Sequence, residues 1–237
     1  GIALEASAIG FRARVRIREG NIAGLVPRLI VDMQRLEAEL EGQSAAEIDW
    51  SELHVLLGHA YLAEGRPVPA VERYEFAIDR LHTTSGVAAE AGISLGRLLL
   101  ARGEIADAVK RFEAIDMLAS PAARHRLQAQ VGLGEASILR GDHAASARHF
   151  RDAASIISSH PDFVSSVVEQ AVRTAMRGAA MAVDRAEDSA DSMEQSAMIR
   201  LAREFATFGL EFSRDEDVRM RALLVIAEAH RRSAELV

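Results

Sequence analysis

The histidines ask for chemistry first, because an imidazole can serve as metal ligand, general base or proton shuttle. His54 and His59 stand five apart. On a helix that spacing turns them to different faces, whereas two ligands on one helix need the i, i+4 spacing. His143 and His149 stand six apart, with no cysteine anywhere in the chain and only scattered carboxylates nearby. Both pairs read as solvated or packing histidines. Leu95-Gly96-Arg97 and Val131-Gly132-Leu133-Gly134 contain glycines, but without phosphate-loop spacing and without a strand before them. Nothing promotes any serine above the others as a nucleophile. Arg12, Arg14, Arg16 and Arg18 would form an anion site only by sharing a face; residues two apart on a helix lie about 200° round, so the four split between two faces. The expectation is a non-enzymatic chain that needs no metal and no cofactor.

Packing explains those glycines better than chemistry does. Leu57-Gly58 is followed by Tyr61, Gly65, Ala70, Tyr74 and Ala77. The same offsets recur from Leu95-Gly96, with Leu99, Gly103, Ala108, Phe112 and Ile115, and from Leu133-Gly134, with Ser137, Gly141, Ser146, Phe150 and Ala153. Self-similarity at a fixed spacing marks stacked helical hairpins. Gly58, Gly96 and Gly134 sit where one helix must approach the next, with Ala70, Ala108 and Ser146 expected opposite them. Tyr74, Phe112 and Phe150 follow one turn later and fill the gap between successive hairpins. Gly65, Gly103 and Gly141 close the turns, where a positive φ costs glycine little. One hairpin cannot bury its apolar face alone, so several must stack.

Along the chain, residues 2–18 and 22–41 read as a degenerate opening hairpin around Glu19-Gly20-Asn21. Phe11, Ala13, Val15 and Ile17 alternate with arginines as a strand would, but a lone strand has no sheet to join, so a helix is expected. Pro27 falls near the start of the second helix. Ser44-Ala45-Ala46-Glu47 is a capping box, and Pro67 and Pro69 occupy a first helical turn. The clearest repeats span 44–82, 84–119 and 120–158, with Ser120-Pro121 and Asp142 as helix caps in the last. Beyond His160-Pro161-Asp162 the offsets fade into a degenerate pair over 161–212, with an acidic turn expected from Asp184 to Ser192. Ser213 and Glu216 form a second capping box, opening a terminal helix over 213–237.

Composition sets the outer bounds. The chain has 237 residues, 49% of them hydrophobic, enough for a solenoid with a continuous core. A net charge of −7 and a pI near 5.7 argue against a general nucleic-acid binder. The absence of cysteine fits a reducing, cytoplasmic setting. No apolar run approaches the roughly 18 residues of a membrane span. Without an initial Met or an apolar leader, the chain reads as a single domain, 1–237, cut from a larger protein.

The glycine, alanine and aromatic ladder resembles the tetratricopeptide repeat family. The resemblance implies an all-α, right-handed superhelical solenoid of antiparallel helix pairs, with about five hairpins in this chain. The 38-residue separation of Gly58, Gly96 and Gly134 exceeds the common 34 by about one helical turn. Long repeats of this kind resemble the helical sensor domains of large bacterial regulators, such as maltose-type transcriptional activators and related signalling ATPases. The family's first helices line a concave groove. Its register carries over to Glu52, Val55, His59 and Leu62, then to Glu90, Ile93, Arg97 and Leu100, then to Gln128, Val131, Glu135 and Ile138.

The family's clamp of Lys, Arg and Asn for chaperone C-termini is missing, since Val55, Ile93 and Val131 stand where a Lys would be expected. The expectation is therefore a scaffold that binds a peptide or helix of a partner protein on alternating aliphatic rows and isolated charges. Two rivals remain: a ligand-responsive sensor domain, and a groove filled by the protein's own elements.

Overall fold

A computed structural model of the chain describes residues 2–39, 50–79, 84–118, 120–160, 162–163 and 165–235. Among the described residues there are eleven helices and no strand: α1 (Ile2–Arg18), α2 (Leu25–Glu39), α3 (Trp50–Ala63), α4 (Pro67–Asp79), α5 (Ser85–Ala101), α6 (Ile105–Asp116), α7 (Ala123–Arg140), α8 (His143–Ser159), α9 (Ser165–Asp188), α10 (Ser192–Phe212) and α11 (Glu216–Glu235). The protein is all-helical. The capping box at Ser44-Ala45-Ala46-Glu47 and the break at Pro161 lie outside the described residues.

The expected turns form by one device. Gly20, Gly65, Gly103 and Gly141 all adopt φ between +71° and +77°. At Gly141 its own N–H bonds Ile138 O at 3.0 Å, and the next N–H, on Asp142, bonds Ser137 O at 2.9 Å. The same two bonds recur at the other three, satisfying carbonyls that a helix end would otherwise orphan. The Arg-rich stretch is helical as expected: Ala6, Ile9 and Ala13 are buried at helical spacing in α1. Pro27 is the third residue of α2, and Pro67 and Pro69 open α4.

By their contacts, Gly1–Glu104 with Met117–Pro121 form one unit, and Ile105–Asp116 with Ala122–Val237 form another. In the first, α3 packs against α1, α2, α4 and α5. Tyr74 of α4 is fully buried, and a Cβ on Gly58 would lie 2.6 Å from its ring. The residue against Gly58 is thus Tyr74, more closely than the expected Ala70, because the aromatic ring occupies the space that the missing side chain leaves.

The second unit repeats this device. A Cβ on Gly134 would lie 2.7 Å from the Phe150 ring, and one on Gly132 would lie 2.5 Å from Phe112. Ser146, also fully buried, donates its hydroxyl to Gly134 O at 3.0 Å, so the third copy gains a hydrogen bond where the others carry alanine. A fourth instance follows in α9 and α10, where a Cβ on Gly178 would lie 2.7 Å from Phe205. Phe150 meets Phe205 edge-on with ring centroids 4.9 Å apart, and Phe208 at 5.7 Å. Such pairs add about 0.5–1.5 kcal/mol beyond their burial.

Three local expectations are corrected. Ser120 does not cap α7; it takes φ +55° before Pro121, and the helix opens from Ala122 with no side-chain cap. A residue before proline is disfavoured in the right-handed region, so the helix starts later. The acidic stretch is mostly helix, since α9 runs to Asp188 and α10 is capped by Asp191, whose carboxylate accepts from Met193 N at 2.9 Å. The α11 cap is Asp215, accepting from Asp217 N at 2.9 Å, while Ser213 ends α10 by bonding Gly209 O. A carboxylate one residue before the helix is better placed than a hydroxyl three before it. Asp142 caps α8 as expected, accepting from Ala145 N at 3.0 Å.

Candidate functional site

The first unit carries a polar row across three helices. Glu52 and His59 lie two turns apart on α3, Arg14 comes from α1, and Glu90 from α5. Arg14 Nη2 donates to Glu52 Oε1 at 2.9 Å, and its Nη1 lies 3.6 Å from Glu90 Oε2. Burial works to lower the Arg14 pKa, but the hydrogen bond to Glu52 and the charge of Glu90 outweigh it, so the net shift is upward. On the other side of Glu90, His59 Nε2 is 3.1 Å from Oε1. Tyr74 Oη lies 2.8 Å from His59 Nδ1. A carboxylate only accepts, so Nε2–H donates to Glu90, and in a neutral imidazole Nδ1 then accepts from the Tyr74 hydroxyl.

Carboxylate, imidazole and hydroxyl in that order can activate a nucleophile. Here the hydroxyl is on a fully buried tyrosine. Burial pushes its pKa well above the usual tyrosine range, against the hydrogen bond with Ser94, and the Glu90 charge pushes the same way. Tyr74 therefore stays protonated and fixes the imidazole rather than attacking anything. The row as a whole sets two carboxylates against one guanidinium, a mildly acidic face with side chains 25–42% exposed.

The twelve groove positions divide by burial. Val55, Ile93 and Leu100 in the first unit, and Val131 and Ile138 in the second, are only 1–8% exposed. Glu52, His59, Leu62, Glu90, Arg97, Gln128 and Glu135 are half-buried. Apart from Leu62, the aliphatic positions are thus core, and the polar ones carry the surface. Val131 and Ile138 share one apolar cluster with Phe150, Ala175 and Phe205, so α9 and α10 cover them. Glu135 is tied to Arg177 of α9 at 3.1 Å.

Between α9 and α11 lies a cleft of about 770 Å³. Arg173, Arg177 and Arg221 line it, no carboxylate does, and Met176, Val218 and Val225 give it apolar wall. The register reading missed these residues because the ladder offsets fade beyond Pro161. The i, i+4 pair Arg173 and Arg177 was visible as a charge pattern; the approach of Arg221 was not. Among the described residues no group of His, Asp or Glu is placed to hold a metal ion, and no helix is long and apolar enough to cross a membrane.

Two histidines of the second unit make stability depend on pH. His149 Nδ1 lies 2.8 Å from Gln130 Oε1. Burial lowers its pKa, with Arg148, against Asp152, Asp142 and Glu113. His143 is lowered by burial and then by Arg185, against Asp142 and Glu194. The folded protein holds both below the ordinary 6.5, so between the two values the unfolded chain binds more protons. Their contribution is full above 6.5 and is lost as the pH falls through that window. Glu194, lowered by Ser189 and Arg185, and Glu228, lowered to about 2 by Arg231 and Arg232, begin to matter only below the ordinary 4.5. Urea midpoints at pH 7.5 and 5.5 therefore separate histidine titration from these carboxylates, and the double variant assigns the share of His143 and His149. The midpoint should fall at the lower pH, and fall less in His143→Gln/His149→Gln; equal falls would refute the assignment.

No protein-family model matches the chain, and no curated protein matches it.

Proposed function

We propose that this chain is a non-catalytic scaffold of the tetratricopeptide kind, a right-handed superhelix of about five hairpins that binds a peptide or helix of a partner protein on its first-helix face. The observation that carries the reading is the row Arg14, Glu52, Glu90 and His59, contributed by α1, α3 and α5 and held by mutual bonds, with Val55 and Ile93 buried on α3 and α5. Such a row is pre-organised, so little side-chain entropy remains to be lost on binding. Its surplus of carboxylates suits a segment bearing Lys or Arg. The lack of cysteine goes with a cytoplasmic setting.

The test is a peptide selected from a displayed library and titrated against the parent and Glu52→Gln/Glu90→Gln. Binding should weaken severalfold in the variant and with added salt, since partly exposed ion pairs are worth about 0–1 kcal/mol each. Equal affinity, with cross-links falling on α2 and α4, would sink the reading. The α9–α11 cleft favours a second one, a ligand-responsive sensor domain of a multidomain transcriptional regulator or signalling ATPase.

A further inference from the structure

We propose that the cleft between α9 and α11 binds a small amphipathic anion: an alkyl chain with a single anionic head. Its volume, about 770 Å³, falls within the roughly 300–1,000 Å³ of small-molecule sites. The charge is local and opposite to that of the protein. On a chain of net charge −7, three arginines line one cleft and no carboxylate joins the lining.

Two of the three are braced from outside. Arg177 is held by Glu135 at 3.1 Å, and Arg173 has Glu169 at 4.0 Å. Arg221 forms no ion pair among the described residues, which leaves it to answer an incoming anion. Arginine presents a planar fork that matches carboxylate and phosphate oxygens in pairs.

The remaining lining decides the rest of the ligand. Met176, Val218 and Val225 offer apolar surface, and methionine adapts to irregular chains. The Thr174 hydroxyl is spent on Gln170 O at 3.0 Å. A bare inorganic anion would leave this surface wet, and a neutral hydrocarbon would desolvate the guanidiniums without compensation. An amphiphile satisfies both. The inference gives the sensor reading its ligand and rests on that reading only there; the scaffold reading stands apart from it.

The probes are decanoate and decyl phosphate, titrated calorimetrically into the whole chain below their micellar concentrations, with decanol and acetate as controls. Decanoate or decyl phosphate should bind saturably, more weakly as salt rises, and whichever is tighter names the head group. Decanol should bind less well and acetate not at all. Arg221→Gln should weaken binding about tenfold, the loss of one charge-assisted hydrogen bond. Ala180→Trp, at an exposed lining position, should abolish it by filling the cleft. Circular dichroism checks that both variants stay folded.

No saturable binding of either anion, or undiminished binding to Ala180→Trp, overturns the proposal. So does capture of an acidic helical peptide in place of both. Binding that leaves hydrogen exchange in α9 and α11 unchanged upholds the site and removes the sensor reading.

Discussion

Phe112→Ala should destabilise the second unit by about 3–5 kcal/mol, the usual cost of emptying a buried phenyl site. Phe112 is fully buried and stands against Gly132, where a Cβ would meet three of its ring atoms at 2.5–2.7 Å. Gly132→Leu should therefore cost about 1–3 kcal/mol through overpacking, or more if the ring cannot retreat. The double variant tells more than either alone. With the ring gone, the new leucine enters the vacated space, so the pair should cost clearly less than the sum of the two. Urea midpoints, with hydrogen exchange in α7 to assign the transition, measure all three. Additive costs, or a neutral Gly132→Leu, would mean the ring and the glycine do not meet.

Ile93→Asp should unfold the first unit rather than remove a ligand contact. At 2% exposure Ile93 belongs to the core, and an unpaired buried carboxylate costs about 3–5 kcal/mol. The defect should ease in acid, because burial raises the pKa of the new carboxyl and protonation relieves its cost. Arg97→Ala, at a half-buried position on the same helix, should cost about 1 kcal/mol or less. Chemical denaturation at pH 7.5 and 5 compares them. If Ile93→Asp unfolds at the same midpoint as the parent, the side chain faces an open groove and the burial described above is wrong.

These two variants mark the boundary between local and tertiary information. On the local side, every helix was legible, because apolar spacing, proline and glycine act within a few residues. Gly65, Gly103 and Gly141 announce turns whatever surrounds them, since only glycine takes a positive φ cheaply. The degenerate first pair was legible for the same reason, through Gly20. Caps were read less well. Ser213 and Asp215 compete for one helix start, and choosing between them needs the backbone path rather than the residue type.

The constant spacing of glycine and aromatic is visible in sequence, but there it points to glycine facing alanine; the contact of glycine with the ring came from the structure. Gly58 and Tyr74, like Gly134 and Phe150, are 16 residues apart. Gly178 and Phe205 make the same contact across 27, because α9 and α10 are 24 and 21 residues long and carry the two residues further from their turn. A pattern search at fixed offset passes over that pair, although the packing is the same.

The candidate site divides in the same way. Glu52, His59 and Glu90 were named from their register, and the structure joins them. His59 meets Glu90 directly, while Arg14, on a helix outside that register, links Glu90 to Glu52, and Tyr74 holds the imidazole from α4. Register placed Val55, Ile93 and Val131 at one repeated position, yet it could not say how closely neighbouring helices would approach there. The cleft of Arg173, Arg177 and Arg221 depends wholly on α11 meeting α9, some forty residues away in sequence. The sequence by itself determined the helices and turns, because those rest on backbone preferences and short-range periodicity. Which faces are closed and which remain open is decided by packing between helices distant in the chain, and only the tertiary structure contains that.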